Sequence, residues 1–168
     1  MRERSKRYIT VFLCSLALFW APVLSVGAED YNALKDVSSV STMFDFRDGN
    51  PTSALVHLKL IHDTYKDAAI RAVSDKPDFA VVFMASSVKL LSKNRSGLSA
   101  EDQKSLEAFD QVLEAMARDG IRLEVCMVAV SYFEVDPASL PKVLMQVSNG
   151  WISSIGYQKR GYAMVPVY

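Results

Sequence analysis

Cysteine is nearly absent. The 168 residues hold two, Cys14 and Cys126, in no CxxC arrangement. The two histidines, His57 and His62, are five apart, so on a helix they point about 140° away from each other and cannot share a metal. There is no GxGxxG, no GxxxxGK[ST], no GxSxG and no HExxH. Their absence removes the dinucleotide, phosphate-loop, hydrolase-elbow and zincin signatures, and no metal or cofactor is expected. Charge is unbiased as well, with 19 Lys+Arg against 19 Asp+Glu. A nucleic-acid binder should carry a basic surplus, so no nucleic-acid partner is expected. The chain shows no internal repeat and no low-complexity stretch.

What is present begins with an address. "MRERSKRYITVFLCSLALFWAPVLSVGAED" has a basic start, an apolar run from Ile9 to Leu24, and small residues at Val26-Gly27-Ala28. That three-part layout predicts a secretory signal peptide over residues 1–28, cleaved near Ala28, and a periplasmic location. Cleavage leaves no stable membrane span. It also removes Cys14 and the leader's basic residues, Arg2, Arg4, Lys6 and Arg7, so the exported chain is slightly acidic and Cys126 is its only cysteine. An unpaired cysteine in an oxidising compartment is a hazard unless it is buried, paired between chains, or used.

Residues 29–36 read as a short lead-in and 37–168 as one domain, long enough for a substantial core. "VSSVSTMFDF" is β-branched and aromatic and predicts a first strand, ended by the turn residues of "RDGNP". A helix is predicted from about Thr52 to Ala72, with Leu55, Leu58, Ile61, His62 and Tyr65 at helical spacing. Val56 and Leu60 fall on its other side and suggest that a second subunit covers the helix. "KPDFAVVFM" is a second strand, and "ASSVKLLSKNRSG" a short helix or loop. Ser99 and Asp102 approximate a capping box for a helix with a stripe at Leu106, Phe109, Leu113 and Met116, closed by Gly120. "IRLEVC", "KVLMQV" and "YAMVPVY" predict three further strands, with helices at "MVAVSYF" and "GWISSIGYQKRG". Strand and helix in alternation imply a parallel sheet covered on both faces, with the Pro166 strand at an edge. The acidic residues read as solvated charge on helix surfaces.

Ligands of open parallel sheets collect beyond the carboxyl ends of the strands. Three segments qualify: "FRDGNP", "ASSVK" and Cys126. A cysteine there sits at the amino end of the next helix, where free amide groups favour an anion, so a thiolate that attacks a sulfur donor is one reading. The other is a small apolar side chain packed between sheet and helix. Arg47 or Asn50 would hold an oxyanion, and Lys89 and Lys93, with Arg95, would raise the local potential. Each also has an ordinary structural use, as a turn residue or a solvated cation.

The order of "FDFRDGNPTSALVHLKLIHDTY", "PDFAVVFM…SVKLLSKNRSG", "DGIRLEVCMVAVSYFEVDPASL" and "NGWISSIGYQKRGYAMVPVY" resembles the DsrE/DsrF-like family of sulfur-relay subunits, related to TusD-type proteins, over roughly residues 35–168. The likeness is to its exported branch. The resemblance implies a three-layer α/β/α domain around a five-stranded parallel sheet, assembled as a trimer or hexamer. It also implies a cysteine at the end of the third strand, matched here by Cys126, that carries sulfane sulfur as a persulfide between donor and acceptor proteins or small sulfur compounds. The alternative is a non-catalytic small-molecule or partner-binding module with Cys126 packed.

Overall fold

The computed structural model describes residues 31–168; the expected signal peptide lies outside them. Five parallel strands form one sheet in the order β4-β3-β2-β1-β5. The strands are β1 (Ser41–Phe46), β2 (Asp78–Phe83), β3 (Arg122–Cys126), β4 (Met145–Val147) and β5 (Ala163–Val167). The helices are α1 (Pro51–Lys66), α2 (Ala68–Val73), α3 (Ala100–Arg118), α4 (Met127–Tyr132) and α5 (Gly150–Lys159). A 3-10 segment, Ala85–Leu91, follows β2. Among the described residues no helix is long and apolar enough to cross a membrane.

Strand alternation sorts the side chains into two layers. Phe44, Phe46, Phe79 and Phe83 face α1 and α3: Phe46 lies 5.0 Å from Phe83 and 6.3 Å from Phe109 of α3, and Phe79 lies 5.4 Å from Tyr65 of α1. The predicted stripe of Leu106, Phe109, Leu113 and Met116 is buried against this layer. α5 covers the other face, where Tyr157 donates to Glu124 of β3. The result is a three-layer α/β/α architecture. β1, β2 and β3 are buried from both sides, which is why they read as near-continuous apolar runs.

Local chemistry accounts for the boundaries. Asn50 caps α1 by accepting from the amides of Thr52 and Ser53, and Pro51 occupies the first helical position, where no N–H is needed. The helix expected to run on to Ala72 breaks at Asp67, whose extended backbone and side chain, accepting from Ala69 N, start α2 afresh. β4 is only three residues long, shorter than the predicted run, because Pro141 and the turn closed by Leu144 N donating to Pro141 O occupy its first half. β5 lies at an edge, as Pro166 requires.

Three acidic side chains depart from the expectation of solvated charge, among them Asp48 in the turn after β1. Asp45 of β1 and Glu124 of β3 are both buried on the α5 side of the sheet. Glu124 accepts from Tyr157 at 2.6 Å, and its second oxygen has no partner among the described residues. At the amino end of the sheet, Arg122 donates to Asp78 and Tyr162 and, at 3.3 Å, to Tyr157; Tyr162 also donates to Asp78. Burial, and then the bond to Glu124, pushes the Tyr157 hydroxyl up to about 12. Burial and the bond to Asp78 raise Tyr162 too. Burial alone would lower the Arg122 guanidinium, but its bonds to Tyr157 and Asp78 outweigh that and hold it above its ordinary value.

Candidate functional site

Cys126 is the last residue of β3 and the N-cap of α4. Its side chain makes no capping bond, so the first-turn amides of α4 are left without a side-chain acceptor. β4 pairs beside it, Cys126 opposite Val147, and the chain then turns through Asn149 into α5. α5 comes in so close that a Cβ placed on Gly150 would lie 3.0 Å from Cys126 Cβ and 2.6 Å from Met84 Sδ. Asn149 caps α5 by accepting from Trp151 N at 2.9 Å. Two helix starts therefore meet the carboxyl end of β3.

The cysteine is 5% exposed and lies at the floor of a cleft of about 370 Å³. Met84, Val128, Tyr132, Phe133 and Trp151 form most of its walls, and Arg47 is the one charged residue in the lining. Val128, Tyr132 and Trp151 stand well exposed at the rim. Opposite Cys126, the β2 end is locked in place. Ala85 holds a left-handed φ of 52°, a conformation costly for a residue with a side chain. The turn sets the Ser86 hydroxyl to donate to Arg47 O at 3.2 Å and places the wholly buried Ser87 hydroxyl against the carbonyls of Phe46 and Met84. Those bonds tie the ends of β1 and β2 together under the cleft.

The residues singled out in the sequence divide between the cleft and other tasks. Arg47 joins Cys126 in the lining, but its Nε donates to both oxygens of Asp45, at 2.9 and 2.8 Å. Lys89 stands behind the wall, its Nζ 4.9 Å from the centre of the Phe133 ring. Asn50 spends its side-chain oxygen on the cap of α1. Lys93 pairs with Asp110 at 2.8 Å, an acid it shares with Arg95. Trp151, in the helix predicted at "GWISSIGYQKRG", forms a wall of the cleft, whereas Tyr157 of that helix and the following Tyr162 are buried. The spacing of Trp151 on a short helix carries no signal of this, since only the placement of β4 next to β3 brings α5 to the cysteine.

The histidines lie elsewhere. His62 is buried and bonds Asp119 at 2.6 Å, which holds that carboxyl below its ordinary value. His57 bonds the buried Asp48 at 3.0 Å and lines a larger groove, about 550 Å³, between α1 and the β1–β5 edge. Leu60 also lines that groove, and both it and Val56 are exposed. The larger volume holds no thiol, so the smaller cleft is the better candidate for sulfur chemistry. No group of three or more His, Cys, Asp or Glu among the described residues is placed to hold a metal ion.

A search of curated proteins finds no match. Among solved structures, the protein of unknown function MTH1491 from Methanobacterium thermoautotrophicum superposes with a TM-score of 0.59 at 14% identity, covering 76% of this chain and 99% of its own. The ychN protein from E. coli gives a TM-score of 0.50 at 12% identity, covering 77% and 99%. At such identities these likenesses speak to the fold. The model of the DsrE/DsrF-like family matches residues 48–167, from the turn after β1 through the end of β5, with Cys126 inside the span. This chain belongs to the DsrE/DsrF-like family.

Proposed function

We propose that this protein is a periplasmic sulfur carrier of the exported branch of its family, holding sulfane sulfur as a persulfide on Cys126. The observation that carries the reading is the position of that thiol: the only cysteine among the described residues ends a central strand, at the floor of a cleft open to solvent. Membership of a sulfur-relay family supplies the chemistry, and donors and acceptors of sulfur are its partners. Of the basic and polar set named from sequence, Arg47 reaches the cleft directly and Lys89 through Phe133. Asn50 and Lys93 contribute through the frame, by starting α1 and by anchoring the segment after β2. The protein works as a homo-oligomer, with the exposed Val56 and Leu60 of α1 at the contact between copies.

The test is mass spectrometry of the Cys126 peptide after incubation with two sulfane-sulfur donors in turn, inorganic polysulfide and an organic hydropersulfide. Wild type gains the mass of one or more sulfur atoms and Cys126→Ser gains none. A wild type that stays unlabelled with both refutes the carrier reading.

The low exposure of Cys126 favours a second reading, a non-catalytic binding module in which the thiol is packed. Reaction with a bulky thiol reagent separates the two. A carrier reacts in the native state, whereas a packed thiol reacts only at the rate of unfolding.

A further inference from the structure

We infer that the cleft takes its sulfur from a small organic persulfide, R–S–SH with an apolar or aromatic R group, in preference to an inorganic sulfur anion. The inference rests on the carrier reading for its chemistry and on the cleft for its selectivity.

Charge is the first argument. Thiosulfate and inorganic polysulfides are compact and strongly hydrated, and they carry two charges or nearly so. Taking such an ion out of water requires fixed cations to replace its hydration. The lining offers one, Arg47, and the carboxylate of Asp45 already faces it through Nε. Lys89 is turned onto the face of Phe133 and does not line the cleft. Lys93 and Arg95, the other cations after β2, are both held by Asp110. The pocket that contains the thiol is thus close to neutral.

Size and surface are the second. A volume of about 370 Å³ falls in the range of small-molecule sites and far exceeds what a four- or five-atom ion fills. Its walls are Met84, Val128, Tyr132, Phe133 and Trp151, and the three at the rim are more exposed than a folded chain usually leaves such residues. An apolar R group covers these rings and the Met84 thioether and brings its sulfane sulfur down to Cys126. Nη1 and Nη2 of Arg47 bond no described residue, so they remain to meet an acceptor on the donor or the departing thiol.

The step balances without an outside oxidant or reductant. The Cys126 thiolate attacks the terminal sulfur of R–S–SH. A new S–S bond joins Sγ to that sulfur, the donor's S–S bond breaks, and its electron pair leaves on R–S⁻. The proton of the donor's terminal sulfur passes to the leaving group, giving R–SH and Cys126–S–S⁻. The sulfane sulfur keeps its oxidation state.

Two measurements test this separately from the carrier reading. In the first, Cys126 persulfidation is timed with benzyl hydropersulfide and with thiosulfate, each rate being divided by that of the same donor with free N-acetylcysteine. The normalised ratio favours the benzyl donor at least tenfold, and Trp151→Ala lowers the ratio about tenfold, as loss of one good aromatic contact would. Trp151 is 65% exposed, so the substitution leaves the fold intact. Equal or higher normalised rates with thiosulfate overturn the inference and leave the carrier standing. In the second, Cys126→Ser is titrated with an unreactive benzyl methyl thioether and read by quenching of Trp151 fluorescence. Saturable binding supports the ligand class even if wild type forms no persulfide, an outcome that would sink only the carrier. No binding in this arm overturns the inference.

Discussion

Gly150 gives the sharpest test of how the cleft is built. It is the first residue of α5, and a Cβ there would meet Met84 Sδ at 2.6 Å, Met84 Cγ at 2.8 Å and Cys126 Cβ at 3.0 Å. Met84 is a flexible side chain, but it is buried; Cys126 Cβ is fixed to β3 and can yield only with the strand. Gly150→Ala therefore forces α5 away from the sheet. Overpacking of this kind costs about 1–3 kcal/mol, offset by the roughly 0.5–1 kcal/mol that Ala gains over Gly in a helix. A net loss of about 0.5–2 kcal/mol follows, which lowers Tm by roughly 2–8 °C in a chain of this size. Gly156, in the same helix, is the control: a Cβ there has nothing within 4 Å, so Gly156→Ala should gain about 0.5–1 kcal/mol. Urea and thermal unfolding of the two variants, followed by far-UV circular dichroism, give the comparison. If Gly150→Ala is as stable as Gly156→Ala, the close approach of α5 to Cys126 is wrong.

Two further outcomes concern pH. The Tyr157 hydroxyl is raised to about 12 by burial and its bond to Glu124, and Tyr162 is raised as well, so the folded state favours their neutral forms. Their contribution is complete below about pH 10, the unfolded tyrosine value, and is lost as pH climbs through the folded one. Absorbance at 295 nm should show these two tyrosines ionising only with alkaline unfolding, and Tyr157→Phe should remove part of that step. Asp119 is depressed chiefly by its bond to His62, so its contribution is present above the unfolded aspartate value and fades as pH falls through the lower, folded one. Asp119→Asn should flatten the stability profile below about pH 4; an unchanged acid limb in urea titrations would refute the pairing.

The α/β alternation was legible because each buried strand is a short apolar run closed by turn residues and each long helix keeps a 3.6-residue stripe, as at Leu106, Phe109, Leu113 and Met116. The place of Cys126 was legible for the same reason, since the period changes at that residue. Side-chain destinations were not. Asn50 before Pro51 is a local sign of a helix start, but nothing local tells that Arg47, three residues earlier, reaches the cleft, or that Lys93 and Arg95 converge on Asp110 of a helix later in the chain. Glu124 looked like surface charge because its pairing with Tyr157 joins residues brought together only when α5 folds over β3. Trp151 was hidden by the same long connection.

That β1 pairs with β5, Thr42 opposite Ala163 and Phe46 opposite Val167, sets a schedule for synthesis. The strand made first waits for its second neighbour until nearly the whole chain has emerged. During that interval one side of β1 offers unpaired backbone groups and apolar side chains to any passing strand. A nascent or truncated chain lacking its last residues is therefore a candidate for chaperone capture or aggregation. The intact molecule closes that side with a strand whose own outer rim carries Pro166, a residue that cannot donate to a further ladder.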